Sequence, residues 1–170
     1  RDSVIVGRER HVAEAREGRL PYPQRAIRTK DFIYIRNFEP DRWPMGSPGE
    51  VTNESIPEHN LLENNTFIAF GDLDASPTKA WIIEHRNDPE NRIYYDFAFD
   101  KRPYEELYDL RRDPDYMTNV AEHPDYQEIK EKLSKDLMDT LVAEKDPRVV
   151  EDPVRYEHPP YTNEHVWQSN

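Results

Sequence analysis

The sequence predicts an α+β fold, in which a small antiparallel β-sheet with long loops is covered by a C-terminal α-helix. Residues 24–38 hold two runs rich in β-branched and aromatic side chains around a Thr-Lys-Asp turn, which is typical of a β-hairpin. Residues 106–110 alternate between polar and apolar, as a half-buried strand does. Beyond Asp113-Pro114 the apolar spacing changes to three and four residues, which is the period of a helix.

The strands follow in chain order. A short apolar run predicts a first strand over residues 3–6. The hairpin is predicted to pair residues 25–30 with residues 32–36, and residues 106–110 are expected in the same sheet. Pro114 ends this last strand, because proline has no amide proton and its predecessor avoids helical geometry.

Two helices have clear start signals. Ser76 is a good N-cap and Pro77 a good first helical residue, so a helix is predicted through His85. A second helix is predicted over residues 124–143, and its apolar stripe should lie on the hairpin sheet or, alternatively, against a partner helix. Residues 92–99 are ambiguous between strand and helix. The stripe consists of Tyr126, Ile129, Leu133, Leu137 and Leu141.

The remaining segments are predicted as loops or extended chain. Residues 40–65 are rich in proline and glycine and are predicted to be a long functional or covering loop. Residues 1–147 are predicted to form one domain, and residues 148–170 an extended C-terminal tail. Asp72 and Asp74 invite a calcium interpretation, but the sequence lacks a twelve-residue loop with a closing glutamate. Helix-entry structure is therefore preferred there, and no metal ligand is predicted.

Composition and charge restrict the function. The net charge is −12, which disfavours nucleic acid as a partner because phosphate contacts dominate that affinity. No apolar run reaches the 18 residues of a membrane helix, and no cysteine is available for a disulfide, a thiolate zinc site or a nucleophile. The chain opens without Met or a signal peptide, so it is expected to be part of a longer polypeptide.

The basic N-terminal segment is the exception to the acidic character. Residues 1–36 carry nine Lys/Arg and five Asp/Glu, whereas the remainder carries 14 and 30. Arginine offers a planar fork of donors for oxyanions, so this segment is a candidate site for an anionic substrate. The alternative is ordinary surface arginines, including solvent-facing strand positions for two of them. The candidate contacts are first Arg8, Arg10 and His11, and second Arg25 and Arg28.

Several of these segments together resemble one enzyme family. Residues 106–110 (Glu-Leu-Tyr-Asp-Leu), the following Asp-Pro turn and residues 119–121 (Asn-Val-Ala) are similar to the C-terminal signature of the sulfatases. Residues 7–11 (Gly-Arg-Glu-Arg-His) and 22–38, with the Arg-Trp-Pro that follows, resemble the C-terminal part of heparan N-sulfatase-like enzymes, the N-sulfoglucosamine sulfohydrolase type. The resemblance extends from about residue 4 to residue 147.

The resemblance implies a role without catalysis for this chain. Sulfatases hydrolyse a sulfate ester or sulfamate at a calcium-bound formylglycine, which arises from a Cys/Ser-x-Pro-x-Arg motif in a large N-terminal α/β domain. This chain has no such motif, so no catalytic residue is assigned to it and the chain alone is expected to be inactive. It resembles the smaller C-terminal domain, whose partners would be the N-terminal catalytic domain and a sulfated saccharide.

Two functions therefore stay open at the level of sequence. One is the C-terminal part of a sulfatase that lines the substrate pocket, with calcium and formylglycine both in the other domain. The other is an independent carbohydrate- or protein-binding module without enzymatic activity. The family resemblance implies a periplasmic or extracellular location, or a lysosomal one in a eukaryote.

Overall fold

The computed structural model describes residues 2–159, which form four strands and five α-helices. The predicted α+β class, with an antiparallel sheet and helices, is confirmed. The strands are β1 (Ser3–Arg8), β2 (Gln24–Thr29), β3 (Phe32–Asn37) and β4 (Glu105–Asp109). The helices are α1 (His59–Asn64), α2 (Pro77–Glu84), α3 (Arg92–Phe99), α4 (Gln127–Ala143) and α5 (Pro147–Val150).

The chain divides into two compact units, and the division into one domain over residues 1–147 and a tail stays a prediction. Unit 1 consists of Arg1–Glu9, Pro23–Arg36 and Glu105–Asn170. Unit 2 consists of Arg10–Tyr22 and Asn37–Tyr104. Both units are assembled from segments distant in sequence, which is why composition gave no boundary between them.

Unit 1 contains the sheet, whose strands follow one another in the order β1-β2-β3-β4. All the predicted strands are present. In the antiparallel register, Ile5 lies opposite Ile27 and Tyr34 lies opposite Leu107. Strand β1 is two residues longer than predicted, so Arg8 belongs to the strand rather than to the turn after it.

Helix α4 covers this sheet, as the sequence predicted. A 3-10 turn over Pro124–Tyr126 leads into the helix, which lies against β2. Leu133, Leu137 and Leu141 are buried because they share one face at spacings of four. Arg36 of β3 donates from Nη2 to Ser134 Oγ at 2.6 Å and so joins sheet and helix with a polar contact.

A carboxylate at the end of β4 joins this strand to the start of the helical region. Asp109 accepts hydrogen bonds from Arg111 Nε (2.8 Å) and Nη2 (2.7 Å), and from the Tyr126 hydroxyl (3.1 Å). The Arg111 hydrogen bonds lower the pKa of Asp109 to about 2, although burial opposes this shift. The ionised carboxylate therefore stabilises unit 1 around neutral pH.

Unit 2 has its own core, centred on Phe70. Its ring stacks on Phe99 with centroids 4.3 Å apart and meets the rings of Trp43 and Tyr95 edge-on. Ser76 caps α2 by accepting from the Lys79 amide at 3.1 Å, as predicted. The ambiguous segment 92–99 is helical, because its two buried aromatic residues lie four positions apart.

The predicted loop over residues 40–65 is an ordered part of unit 2. It includes helix α1, which the sequence analysis missed. Its backbone is hydrogen-bonded to two neighbouring segments. The Ser47 amide donates to the Ala15 carbonyl at 2.7 Å, and the Ser47 carbonyl accepts from the Phe70 amide at 2.8 Å. At Gly46, with φ at 100°, a Cβ would lie 2.7 Å from the Ala15 carbonyl oxygen, so only glycine fits.

The predicted extended tail is only partly within the described residues. Residues 147–150 form the short helix α5, and residues 155–157 form one 3-10 turn. Asp146 caps α5 by accepting from the Arg148 amide at 2.9 Å. The dipeptide Asp146-Pro147 thus begins a new helix as well as following the end of α4. Residues 160–170 lie outside the described range.

Candidate functional site

Two of the predicted contact residues meet at a cavity in unit 1. The cavity has a volume of about 280 Å³ and lies beside the end of β1. Arg8 and Arg25 both line it, together with Glu9 and Asp146. The antiparallel register explains the meeting, since Arg8 pairs with Gln24 and Arg25 pairs with Gly7.

Every N–H donor of the Arg25 guanidinium is hydrogen-bonded within the protein. Its Nε and Nη2 form a two-pronged ion pair with Asp146 at 2.7 and 2.9 Å, and Nη2 also donates to Glu9 at 2.8 Å. Its Nη1 donates to the carbonyl oxygens of Arg8 and Gln24 at 3.1 and 3.0 Å. The five N–H groups of an arginine are thereby used, so Arg25 supports the cavity wall. The alternative of a solvent-facing Arg25 is wrong, because the residue is buried.

The ion pairs continue beyond Arg25 into the C-terminal segment. Arg148, also buried, donates from Nε and Nη2 to Glu9 at 3.1 and 2.5 Å and from Nη1 to Glu157 at 2.5 Å. Cations and carboxylates thus alternate from Asp146 to Glu157. We call this row of ion-paired residues the charge ladder; its five members are Asp146, Arg25, Glu9, Arg148 and Glu157.

Three members of the charge ladder, Arg25, Arg148 and Asp146, have pKa values shifted in the directions that ion pairing demands. Burial acts to lower the pKa of Arg25 and of Arg148, but hydrogen bonds to carboxylates outweigh it and raise both. Burial acts to raise the pKa of Asp146, but the hydrogen bonds from Arg25 and from the Arg148 amide leave it lowered. Arg25, Arg148 and Asp146 are therefore ionised at neutral pH.

Arg8 is the member of this cavity that remains a candidate for ligand contact. It is partly exposed at the end of a strand, and its backbone carbonyl is fixed by Arg25. The neighbouring carboxylates Glu9 and Asp146 are already paired with buried arginines. They therefore repel an anion less than free carboxylates would.

Two further candidates, Arg10 and His11, belong to unit 2. Arg10 donates from Nη2 to the Arg19 carbonyl at 2.5 Å, so part of its guanidinium holds a turn. His11 exposes 69% of its side chain, and its Nδ1 lies 3.6 Å from the buried Asp72 carboxylate, beyond hydrogen-bonding distance. An imidazole in this position is accessible to a ligand.

Asp72 is held as the partner of a buried arginine. Arg16 forms an ion pair with it and also donates to the carbonyl oxygens of Trp43 (2.8 Å) and Pro44 (2.6 Å). The second Asp72 oxygen accepts from the Val12 amide at 2.9 Å. This explains Asp72 without calcium, and among residues 2–159 no group of three or more His, Asp and Glu side chains is arranged to hold a metal.

The fifth candidate, Arg28, lies at the opposite end of β2 from Arg25. It is exposed, its guanidinium carbon lies 5.8 Å from the centroid of the Tyr116 ring, and it lines an open groove with Lys30, Asp31 and Phe32. The solvent-facing strand position considered for Arg28 is thus observed. Within unit 1, Arg8 and Arg25 share a cavity and Arg28 does not belong to it.

Sequence reasoning missed most of the residues that build these sites. Glu9, Asp146, Arg148 and Glu157 form the charge ladder with Arg25, yet Glu9 and Arg148 are 139 positions apart. No local pattern marks such a pair. A signal was available only at Asp146, where the Asp-Pro dipeptide indicates a cap.

Comparison with known proteins connects the chain to sulfatases. It is 33% identical over 130 residues to an ulvan-active sulfatase of Formosa agariphila, a match that covers 74% of this chain and 18% of that protein. A second ulvan-active sulfatase of the same bacterium is 27% identical over 120 residues, covering 70% of this chain and 16% of the relative. No family model matches.

None of the helices described in residues 2–159 has the length and apolar character that crossing a bilayer requires. The chain spans less than a fifth of the length of the two curated relatives. It is thus similar to one short segment of each of two much longer sulfatases.

Proposed function

We propose that this chain is the C-terminal α+β part of a sulfatase that acts on a sulfated saccharide, and that it supports the fold and lines the substrate pocket without catalysing the reaction. The observation that carries the proposal is the 33% identity to a sulfatase over 74% of the chain. The resemblance of residues 7–11 and of the strand pair after them to the same family also supports the proposal.

The contact residues of the proposal are ranked by where they lie in the structure. Arg8 lines a cavity and His11 exposes most of its imidazole, so these two are the direct contacts. Arg10 has one donor committed to a turn, and Arg28 lies on an open groove, so both are secondary. Arg25 stays in the proposal as the residue that shapes the cavity wall.

The reaction itself belongs to another part of the proposed enzyme. The family resemblance implies a calcium ion and a formylglycine, and both would be held by an N-terminal catalytic domain. The described residues of this chain offer no set of carboxylates for such an ion. What this chain contributes is therefore orientation: arginine donors that hold the sugar while the sulfate is cleaved elsewhere.

Two substrate classes follow from two observations. The Pro-Gln-Arg-Ala-Ile-Arg-Thr-Lys string resembles heparan N-sulfatase-like enzymes, which favours N-sulfoglucosamine and cleavage of a sulfamate. Both curated relatives are named for activity on ulvan, which favours ulvan as the polysaccharide. The family resemblance favours a location in the periplasm or outside the cell, or in the lysosome of a eukaryote.

The experiment compares sulfate release by the full-length protein and by the 170-residue chain. The substrates are N-sulfoglucosamine, sulfated ulvan oligosaccharides and a small aryl sulfate. We expect release by the full-length protein and none by the chain, because the chain lacks a formylglycine precursor motif. Release by the purified chain above a buffer blank contradicts the proposal, as does a full-length protein that cleaves none of the three.

The alternative is a carbohydrate- or protein-binding module without an enzymatic parent. It predicts that the gene encodes no Cys/Ser-x-Pro-x-Arg motif upstream of this segment. Saccharide binding without any sulfate release would then be the result that favours the module.

A further inference from the structure

The two edges of the sheet in unit 1 differ in how their main-chain groups are occupied. The strand order places β4 at one edge and β1 at the other. Beyond β4, the Val120 amide donates to the Leu107 carbonyl at 2.8 Å, and the Leu107 amide donates to Asn119 Oδ1 at 2.9 Å. The segment after β4 thus returns to the edge of that strand and occupies groups that a further strand would use.

The outer edge of β1 has no such cover within residues 2–159. Each residue of the strand pairs with β2, and in the described part of the chain no other hydrogen bond reaches the main chain of residues 3–7. Residues 3–7 also contain no proline and no charged side chain, which are devices that keep an edge strand apart from other chains. An uncovered strand of this kind is a template for pairing with another strand.

The side chains along β1 add apolar surface to this edge. Val4 and Val6 are 49% and 54% exposed, and they share one face of the strand because they are two positions apart. Asp2, which is exposed, and Arg8, which is partly exposed, continue the same alternation at its two ends. The order along this face is therefore a negative charge, two valines and a positive charge.

This order is self-complementary when two copies of β1 run antiparallel. A two-fold axis through Ile5 places Val4 of each copy opposite Val6 of the other, and it also pairs each negative end with a positive end. Apolar β-branched residues and opposite charges are both favourable cross-strand pairs. An axis through Val6 would place Val4 opposite Arg8, and an axis through Val4 would place Asp2 opposite Val6. Of these three registers, the one centred on Ile5 alone matches like with like at the valines and opposite charges at the ends.

We propose that the outer edge of β1 is the interface of a homodimer, in which the β1 strands of two copies pair antiparallel about Ile5 and join the two four-stranded sheets into one. A second copy is preferred over another protein because the charge order of the edge complements itself. The interface of a single strand is small, so the dimer is expected to be weak and to depend on concentration. The dimer does not depend on the proposed sulfatase function.

The test measures the oligomeric state of the full-length protein by sedimentation velocity, over a concentration series that reaches about 100 µM. We expect monomers at the lowest concentrations and dimers at the highest. Hydrogen exchange at the same concentrations locates the contact. The outward-pointing amides of residues 3–7 should become protected as the dimer forms, because they then donate to the partner strand.

Variants at exposed positions assign the dimer to β1 and to its register. Val4→Lys and Val6→Glu each place a charge against a valine of the partner twice, and each should raise the dissociation constant about tenfold. The two changes together place opposite charges across the interface and should restore most of the affinity. Val142→Lys is the matched control, because Val142 is 53% exposed on α4, and it should sediment like wild type. Arg8 is left unchanged because it also lines the cavity of unit 1.

Three results overturn the proposal. The first is a full-length protein that stays monomeric up to about 100 µM; protection of residues 3–7 at every concentration would then show that another part of the protein covers β1. The second is a dimer that neither single change weakens. The third is a double variant that dimerises no more tightly than the single ones, because pairing about Ile5 requires the rescue. Sulfate release tests the proposed function separately, so either proposal can fail without the other.

Discussion

The buried Arg25 of unit 1 and two buried cations of unit 2, Lys79 and Arg86, differ in their hydrogen-bond partners. In unit 1, Arg25 faces the carboxylates of Glu9 and Asp146. In unit 2, Lys79 donates to three carbonyl oxygens at 2.7 to 3.2 Å, and Arg86 also donates to carbonyls. A carboxylate left alone in the interior keeps a full charge, whereas an orphaned carbonyl is only a dipole. Removal of Arg25 should therefore cost more than removal of Lys79.

Lys79 shows the other side of this difference. Burial lowers its pKa to about 8, and the Asp74 carboxylate only partly opposes that shift. Its three acceptors, the carbonyls of Thr66, Phe70 and Leu73, close the loop before α2 around one ammonium group. Lys79 thus orders a loop in unit 2, whereas Arg25 and Arg148 join the end of β1 and strand β2 to the C-terminal segment in unit 1.

The largest expected effect is Leu133→Asp, which tests whether α4 and the sheet form one core. Leu133 is 2% exposed, and a buried unpaired charge costs several kcal/mol. We expect unit 1 to unfold, with loss of hydrogen-exchange protection in β2, β3 and α4. Glu131→Asp, on the exposed face of the same helix, should keep that protection. Wild-type protection in Leu133→Asp contradicts the assignment of the core.

The next effect is Arg25→Met, which removes the arginine partner of Asp146 and one of the two arginine partners of Glu9. We expect a loss of about 3–5 kcal/mol in the free energy of unfolding by urea denaturation. Arg28→Met is the matched control: it removes an exposed arginine from the same strand and should cost less than about 0.5 kcal/mol. Equal losses in the two variants would mean that the charge ladder contributes no special stability.

Lys79→Met should cost less than Arg25→Met. It leaves the three carbonyls without a donor, and the expected loss is about 1–3 kcal/mol. The measurement is again urea denaturation, monitored by hydrogen exchange in α2 so that unit 2 is followed directly. A larger loss for Lys79→Met than for Arg25→Met would reverse the comparison between carboxylate and carbonyl partners.

The smallest effect is the acid sensitivity of unit 1. The pKa of Asp109 is about 2 in the folded protein, below its ordinary 3.8, so the unfolded state binds the proton more readily. Its stabilisation is complete above pH 3.8 and is lost as the pH falls towards 2. Asp109→Asn should reduce the slope of stability against pH in this window. The control is Asp139→Asn on the exposed face of α4, which should leave the slope unchanged.

Sequence reasoning succeeded where the signal was local. Three elements have a regular spacing of apolar residues within their own segment, and all three are present: the hairpin, the strand near residue 106 and helix α4. Ser76 is the cap that the sequence predicted, because capping depends on four consecutive residues. Helix α1 was missed because six residues between prolines and asparagines carry no clear period.

The candidate sites depended on contacts that no local pattern encodes. Arg25 was predicted as a surface or ligand residue, yet its partner Asp146 lies 121 positions away. Asp72 was weighed as a calcium ligand, and Arg16, 56 positions earlier, is its partner. In both cases the charged residue was recognisable from the sequence. Its oppositely charged partner was not, because only the fold brings the two residues together.

The most direct test of the proposed function is the effect of Arg8→Ala on two substrates of the full-length protein. The measured quantity is kcat/KM for a sulfated saccharide and for a small aryl sulfate, in wild type and variant. A charge-assisted contact is typically worth about 1.5–3 kcal/mol, which corresponds to a roughly ten- to hundredfold loss on the saccharide. Little loss is expected on the aryl sulfate, which lacks the sugar that Arg8 would contact. Equal losses on both substrates, or no loss on either, would contradict a saccharide contact at Arg8.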